Sequence, residues 1–201
     1  AYDAFYPLYN FWNNLLTNKE ELVKCVRQIH PLTKERFKEF RKQLKDYDSG
    51  FDVEMAAAYF AINRSSFSGA TLSGGFSQQA ADGRFNENSI KRLENFIEPN
   101  LNVGFLSFED SIVKHPDCFL YLDPPYYLED KSKLYGKNGD MHLGFDHQLL
   151  CDLLKKRNNW LLSYNDCEVI RELYKDFEIV EASWAYGMNK SKKSSEVLIM
   201  G

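Results

Sequence analysis

An acid, two prolines and a tyrosine follow a short apolar run in the segment FLYLDPPYY, residues 119–127. The run is typical of a buried strand, and Asp123 stands where that strand should end. Proline fixes its own φ and restricts the residue before it, so Asp123 and Pro124 are both held in extended geometry. In open α/β sheets, ligands bind beyond the carboxyl ends of strands. The spacing predicts a rigid, outward-pointing carboxylate followed by an aromatic face at Tyr126; the alternative is an ordinary strand end with a turn.

The elements around this motif are predicted to alternate between helices and strands. Apolar residues at helical spacing indicate helices at residues 6–16, 19–29, 33–44, 51–64, 88–99, 146–157 and 167–177. Short apolar runs indicate strands at residues 102–108, 118–123, 159–165, 177–184 and 194–201. This order predicts an α/β fold with a mostly parallel sheet, helices on its faces and the last two strands as an antiparallel edge.

Turn and cap residues mark the boundaries of several of these elements. Residues 65–86 are rich in Ser and Gly and are predicted to form an exposed loop or a short hairpin. Thr33 is expected to cap the third helix, and either Asn88 or Ser89 the fifth.

The composition is that of an ordinary globular protein and argues against several classes. Of the 201 residues, 44% are hydrophobic and 27% charged, and no run approaches the roughly 18 apolar residues that span a bilayer. The net charge of −4 argues against coating nucleic acid by bulk electrostatics, although basic clusters at residues 34–45 and 190–193 leave a local basic face open. The four cysteines form no zinc spacing. Cys118 and Cys151 are expected to be buried free thiols in a reducing, cytoplasmic setting.

The tetrad Asp123-Pro124-Pro125-Tyr126 resembles the D-P-P-Y signature of methyltransferases that modify amino groups. The likeness continues in the order found in the Dam-like, D12 class (alpha-order) N6-adenine DNA methyltransferases. It covers YDAFYPLYNFW, FAINRSSFSG and FLSFEDSI before the tetrad, and YGKNGDMHLGFDHQLL and NNWLLSYND after it. The resemblance implies transfer of a methyl group from S-adenosyl-L-methionine to the exocyclic amine of adenine in double-stranded DNA.

By this resemblance the tetrad carries the catalytic step. The exocyclic amine of adenine is a poor nucleophile, because its lone pair is delocalised into the ring. The Asp123 carboxylate and the Pro124 carbonyl are expected to accept hydrogen bonds from the amine, so that its nitrogen can attack the methyl group in line. Pro125 fixes the direction of the loop, and Tyr126 is expected to stack on a base that has left the duplex. No metal is expected, because the cofactor already carries an activated methyl group.

The resemblance also assigns cofactor-binding residues. Asp3 is expected to bind the ribose hydroxyls of the cofactor, and its alternative role is to cap the helix that follows. Phe108 is expected to lie against the adenine of the cofactor, with Ser107, Asp110 and Asp123 nearby. Core packing is the alternative for Phe108.

The residues predicted to face DNA lie in the stretch FAINRSSFSG and in the tetrad. They are Asn63, Arg64, Ser66, Phe67 and Tyr126. Arg64 is expected to contact a phosphate or a guanine edge, and its alternative is a surface position at a helix end. His142, Phe145 and His147 are candidates to cover the target base, or His147 caps the next helix.

One feature of the family is missing from the sequence. The family has a glycine-rich F-x-G-x-G turn after its first strand, whereas Gly74 and Gly75 in LSGGF have no strand before them. The sequence is therefore expected to begin within the second strand and to need an N-terminal segment or a complementary chain. We predict a discontinuous, Rossmann-like catalytic domain at residues 1–29 and 97–201, with a mainly helical target-recognition insert at residues 30–96.

Two alternative functions stay open from the sequence. The first is methylation of an RNA base or a protein amide, although relatives with these substrates usually begin the tetrad with Asn. The second is a catalytically silent DNA-binding fragment or subunit, which the missing glycine turn favours. A cognate restriction endonuclease is a further candidate partner.

Overall fold

The computed structural model describes residues 1–127, 144–185 and 193–201, which fall into two compact units. The first unit contains residues 1–107, and the second contains the described residues from Phe108 onward. Both units mix helices with short sheets, so the coarse α/β class is confirmed. Among the described residues, the helices are too short and too polar to cross a membrane.

The first unit is mainly helical. Its elements are β1 (Tyr2–Asp3), α1 (Tyr6–Thr17), α2 (Lys19–Ile29), α3 (Lys34–Asp46), α4 (Val53–Ser65), a 3-10 turn (Phe67–Gly69), α5 (Gln78–Arg84), α6 (Glu87–Glu94) and β2 (Gly104–Phe105). The strands β1 and β2 pair in parallel, with Tyr2 opposite Gly104 and Asp3 opposite Phe105.

Helix α4 forms the centre of this unit, and α1, α2, α3 and α5 pack against it. Its sequence is apolar on nearly every side, and residues 56–62 are all buried, as expected of a helix that is surrounded by others. The side chain of Asp52 caps its start by accepting hydrogen bonds from the backbone N–H groups of Glu54 and Met55, at 2.8 and 3.0 Å. The core of the first unit therefore depends on one buried helix with a well-satisfied N-terminus.

The second unit is a four-stranded sheet with helices packed against it. Its elements are α7 (Phe108–Lys114), β3 (Leu120–Leu122), α8 (His147–Leu154), β4 (Trp160–Asn165), α9 (Glu168–Leu173), β5 (Glu178–Ala185) and β6 (Lys193–Met200). The strand order is β3-β4-β6-β5. β3 runs parallel to β4, and β6 is antiparallel to both β4 and β5.

One face of this sheet carries the second hydrophobic core. Trp160, Leu162 and Tyr164 alternate along β4 and are buried with Leu150 and Ile170 from the helices. The register pairs Leu120 with Trp160 and Leu122 with Leu162. Residues of even number therefore face the core at this point, and the strand ends of β3 and β4 are fixed side by side.

Most of the predicted elements are confirmed. Helices α1 to α4, α6, α8 and α9 lie within or close to the predicted ranges, as do strands β3 to β6. Thr33 caps α3, as predicted, through a 3.3 Å hydrogen bond from the backbone of Arg36. The expected antiparallel pairing of the last two strands is also confirmed.

Several predictions about boundaries were wrong. The cap of α6 is Asn86, not Asn88 or Ser89, because Asn86 and Ser89 form a reciprocal capping box. Part of the predicted loop at residues 65–86 is helix α5, which Ser77 caps and the burial of Ala81 supports. The end of the predicted strand 102–108 is the start of α7, where Glu109 and Asp110 favour a helix N-terminus.

The predicted environment of the thiols was half right. Cys151 is buried and Cys118 is exposed. Cys118 precedes the edge strand β3, next to the exposed residues Asp117 and Phe119, so apolar neighbours in sequence did not produce burial.

Removing volume from α4 should test its central role. Ile62 is fully buried, so Ile62→Ala should lower the free energy of unfolding by about 2–5 kcal/mol, and Ile62→Val by about 0.5–1.5 kcal/mol. Urea denaturation followed by circular dichroism measures both changes. Ile97→Ala is the control, because Ile97 is 79% exposed and should cost little. Equal costs at Ile62 and Ile97 would contradict the role given to α4.

Candidate functional site

Asp123 lies directly after β3, at the carboxyl end of the strand, and is exposed to solvent. The Oγ of Ser163 on β4 lies 3.0 Å from its Oδ1 atom. The hydroxyl of Tyr121 lies 3.2 Å from the same Oγ. Parallel pairing of β3 with β4 produces this arrangement, because it brings residues that follow Leu122 beside those that follow Leu162.

The rest of the tetrad is half-buried and leads into Tyr127. The side-chain amide of Asn165, at the end of β4, donates a 2.8 Å hydrogen bond to the carbonyl of Tyr127. Two prolines and this bond together restrict the backbone from Asp123 to Tyr127. The segment is thus fixed at both of its ends by side chains from one neighbouring strand.

Aromatic side chains cluster beside the tetrad. The ring of Tyr126 lies 6.5 Å from that of Tyr164, and the ring of Tyr127 lies 5.2 Å from that of His147. The His147 Nδ1 and the Tyr164 hydroxyl are 2.6 Å apart. Burial, with smaller effects from Cys151 and Cys167, raises the pKa of Tyr164, so its phenol stays protonated and can donate to the imidazole.

His147 does not cap α8, which corrects one of its predicted roles. The cap is Asp146, whose Oδ1 accepts a 2.8 Å hydrogen bond from the backbone of Leu149. His147 instead packs against Phe145, with ring centroids 5.0 Å apart. His142 lies outside the described residues.

The predicted cofactor residues are divided between the two units. Asp3 and Ser107 belong to the first unit, and Phe108, Asp110 and Asp123 to the second. Phe108 is partly buried against the second core, and its ring lies 4.9 Å from that of Phe145. The alternative prediction of core packing for Phe108 therefore agrees with its position, and its contact with the adenine of the cofactor stays a prediction.

Asp3 ends β1 and is half-buried. Its Oδ1 accepts a 2.6 Å hydrogen bond from the backbone N–H of Phe5. Phe5 is the N-cap of α1, which has no side-chain cap, so the alternative prediction that Asp3 caps this helix was wrong. Burial raises the pKa of the Asp3 carboxyl above its usual value, and the hydrogen bond from Phe5 opposes this shift.

The predicted DNA-facing residues of the first unit surround the loop 66–76. Asn63 and Ser66 form hydrogen bonds with Thr71 of this loop. The Asn63 amide donates a 3.0 Å hydrogen bond to the Thr71 hydroxyl, and the Ser66 hydroxyl accepts one of the same length from the Thr71 backbone. A bridge between Ser66 and Phe76 closes the loop.

Phe67 and Arg64 have different surroundings from these two residues. Phe67 is 69% exposed and precedes Ser68, whose φ of 52° lies in the left-handed region. Arg64 is half-buried, with its guanidinium 5.4 Å from the centre of the Phe60 ring. Burial lowers the pKa of Arg64, and the positive charges of Arg84 and Arg92 lower it further.

The sequence profile of the D12 class N6 adenine-specific DNA methyltransferases matches residues 1–188. This match covers the first unit and most of the second, including the tetrad. The chain belongs to that family. D12 class enzymes transfer a methyl group from S-adenosyl-L-methionine to adenine in DNA, so the predicted reaction, enzyme class and cofactor are confirmed. No curated protein matches the chain at a significant level of similarity.

Two side chains that contact the Asp123–Tyr127 segment of this D12 methyltransferase were missing from the predicted site. They are Ser163 and Asn165, which alternate on one face of β4 near its carboxyl end. The rule that identified Asp123 could have found them, because parallel neighbouring strands present their carboxyl ends at the same edge. The guanidinium of Arg84 on α5 donates a hydrogen bond to the carbonyl of Ser66.

The raised pKa of Asp3 gives a pH prediction for cofactor binding. A carboxylate accepts hydrogen bonds from ribose hydroxyls, whereas a protonated carboxyl group has lost part of that capacity. If Asp3 binds the ribose, as the family resemblance implies, affinity for S-adenosyl-L-methionine should fall as the pH drops through the pKa of Asp3, which lies above the usual 3.8. Isothermal calorimetry between pH 7.5 and about pH 4.5 measures the change.

Asp3→Asn is the matched variant, since it keeps the shape and removes the titration. It should bind more weakly at neutral pH and lose this component of the pH dependence. An identical pH profile in both proteins would contradict the assignment of Asp3 to the ribose.

Proposed function

We propose that the Asp123 carboxylate and the Pro124 carbonyl form the acceptor site for the adenine amine. The observation that carries this proposal is the position of Asp123, an exposed carboxylate at the carboxyl end of a strand in a parallel pair. The family match covers the same residues. The two prolines and the bond from Asn165 to Tyr127 restrict the backbone that carries these acceptors.

The chemistry requires this kind of acceptor pair. Hydrogen bonds from the amine to Asp123 and to the Pro124 carbonyl let the nitrogen become tetrahedral, so that its lone pair leaves the conjugation of the ring. Positive charge develops on the nitrogen as its bond to the methyl carbon forms, and a fixed carboxylate stabilises that charge. Bound S-adenosyl-L-methionine would supply the methyl group from its sulfonium, whose bonding electron pair would remain on sulfur, and the methylated amine would release one proton to solvent.

The side chains assigned to the cofactor fit its chemical groups. Asp3 supplies a carboxylate for the ribose hydroxyls, and Phe108 supplies an aromatic face for the adenine ring, with Ser107 and Asp110 adjacent in sequence. S-adenosyl-L-methionine supplies an activated methyl group when it is bound. The role of these residues is to hold and orient the donor.

Tyr126 is proposed to stack on the target adenine after it leaves the duplex. Its half-buried ring next to Tyr164 can offer one face to a base. Phe145 and His147, which are in contact with each other, are proposed to cover the same base. Unstacking a base costs a few kcal/mol, and an aromatic surface in the site offsets part of that cost.

The loop 66–76 is proposed to contact the DNA. Arg84 and Arg92 are close enough for their positive charges to act on Arg64. This repulsion is unfavourable unless an anion lies near the three side chains. The Nε of Arg64 is buried without a hydrogen-bond partner among the described residues. A backbone phosphate near the guanidinium would relieve the repulsion between these charges. Asn63 and Ser66 shape the loop, and Phe67 extends from it into solvent.

The finer domain description also remains our proposal. Two parallel strand pairs carry Asp3 and Asp123 at their carboxyl ends, as expected for parts of a Rossmann-like sheet with helices on both faces. Residues 1–29 and 97–201 would form this catalytic domain, and residues 30–96 the recognition insert. On the family resemblance alone, we also propose an additional N-terminal segment or a complementary chain, a restriction endonuclease partner and a cytoplasmic location.

A methyl-transfer assay tests the catalytic assignment. The chain is incubated with unmethylated DNA and S-adenosyl-L-methionine labelled in its methyl group, and the DNA is digested to nucleosides. Label should appear on N6-methyl-2′-deoxyadenosine. Asp123→Ala should reduce the rate at least about 100-fold, as loss of a preorganised electrostatic group does, without weakening DNA binding.

Asp117→Ala is the control for this assay, because Asp117 is an exposed acid in the same unit and is outside the proposed site. It should retain the parent rate. Turnover by Asp123→Ala at the parent rate would overturn the proposed role of the carboxylate.

The salt dependence of DNA binding tests the role of Arg64. If Arg64 contacts one phosphate, Arg64→Gln should reduce the slope of log K against log salt by about 0.9. Fluorescence anisotropy at several salt concentrations measures this slope. Lys24→Gln is the control, because Lys24 is exposed and paired with Glu21. An unchanged slope with altered sequence preference would place Arg64 on a guanine edge instead.

A further inference from the structure

Ser163 occupies an unusual position for a polar residue. It is 5% exposed and lies in the middle of β4, where the neighbouring residues Leu162 and Tyr164 belong to the hydrophobic core. A buried hydroxyl is unfavourable unless it has hydrogen-bond partners. Besides the Leu122 carbonyl at 3.4 Å, its partners are two side chains of the β3 segment, Tyr121 and Asp123.

The chemistry of these groups fixes the direction of the hydrogen bonds. A carboxylate only accepts hydrogen bonds, and a serine hydroxyl has a single proton to donate. At 3.0 Å from Asp123 Oδ1, Ser163 is better placed to donate to the carboxylate than to the Leu122 carbonyl at 3.4 Å. The Tyr121 hydroxyl must then donate to Ser163. The result is a directed chain from Tyr121 through Ser163 to Asp123.

We propose that Ser163 is a positioning residue for methyl transfer, a role that rests on the proposed function of Asp123. The exposed Asp123 side chain would otherwise rotate among several staggered conformers. The hydrogen bond from Ser163 engages Oδ1 and selects one of them, which directs Oδ2 to the adenine amine. The Tyr121 hydroxyl polarises Ser163 and so strengthens its bond to the carboxylate.

The rigid location of Ser163 makes it suitable for this role. Its backbone lies within the β3–β4–β6 part of the sheet, where Tyr121 pairs with Leu161 and Ser163 pairs with Leu198. An oxygen held in a central strand moves less than one in a loop. Because small errors in the position of a catalytic group reduce the rate strongly, a fixed donor beside an exposed carboxylate affects the chemical step rather than binding.

Steady-state kinetics of methyl transfer test this proposal. Ser163→Ala should lower kcat about tenfold or more, as expected for a lost hydrogen bond to a charged group, and leave KM for DNA and for S-adenosyl-L-methionine nearly unchanged. Ser163→Thr keeps the hydroxyl and should restore most of kcat. Tyr121→Phe should have a smaller effect than Ser163→Ala, because the bond from Ser163 to Asp123 remains.

Ser111→Ala is the matched control, since the Ser111 hydroxyl, among the described residues, donates its hydrogen bond to the carbonyl of Phe108 within its own helix. It should keep the parent kcat. A Ser163→Ala variant with parent kcat, or one in which only KM changes, would overturn the positioning role.

A second readout is independent of activity. Nuclear magnetic resonance couplings that report χ1 of Asp123 should show one conformer in the parent chain and in Ser163→Thr, and averaging in Ser163→Ala. Failure of methyl transfer by the parent chain would count against the proposed function, while these couplings still test the positioning role. One unchanged Asp123 conformer in Ser163→Ala would refute it.

Discussion

Backbone hydrogen bonds hold β3 and β4 parallel, so their carboxyl ends meet at one edge of the sheet. The catalytic candidates of the second unit depend on this pairing. Asp123 and Tyr127 follow β3, while Ser163 and Asn165 belong to β4. Side chains of β4 therefore contact both ends of the segment from Asp123 to Tyr127. An antiparallel pair would have brought the end of one strand to the beginning of the other. The site would then lack its supporting side chains.

A different constraint acts in the first unit, where a buried helix brings charges together. The core contacts of α4 fix Asn63 and Arg64 in its last turn, and the loop 66–76 is tied back to that turn by Asn63 and Ser66. Arg84, on α5, bonds to the same loop. Packing of the helices therefore brings positively charged side chains together around a hydrogen-bonded loop, although the whole chain carries a net charge of −4.

Local signals predicted the elements well where a single period or cap dominated. The apolar residues of α4 and the capping hydroxyl of Thr33 are signals from residues near one another in the sequence. The sequence therefore predicted both the helix α4 and the cap of α3. Errors arose where no single local signal was sufficient. Asn86 and Ser89 cap α6 together, which a search for one cap residue misses. Helix α5 is too short for a period to appear, and the burial of Ala81 by the rest of the unit supports it.

The sequence by itself determined the tetrad, the stiffness that its two prolines impose, and the order of motifs that marks a D12 class methyltransferase. These are properties of neighbouring residues, so they can be read along the chain. Only the tertiary structure decided which side chains support Asp123. Ser163 lies 40 positions away, and strand register brings the two together. Register is set by long-range backbone pairing and by burial of one face of the sheet, and a single sequence does not express either directly.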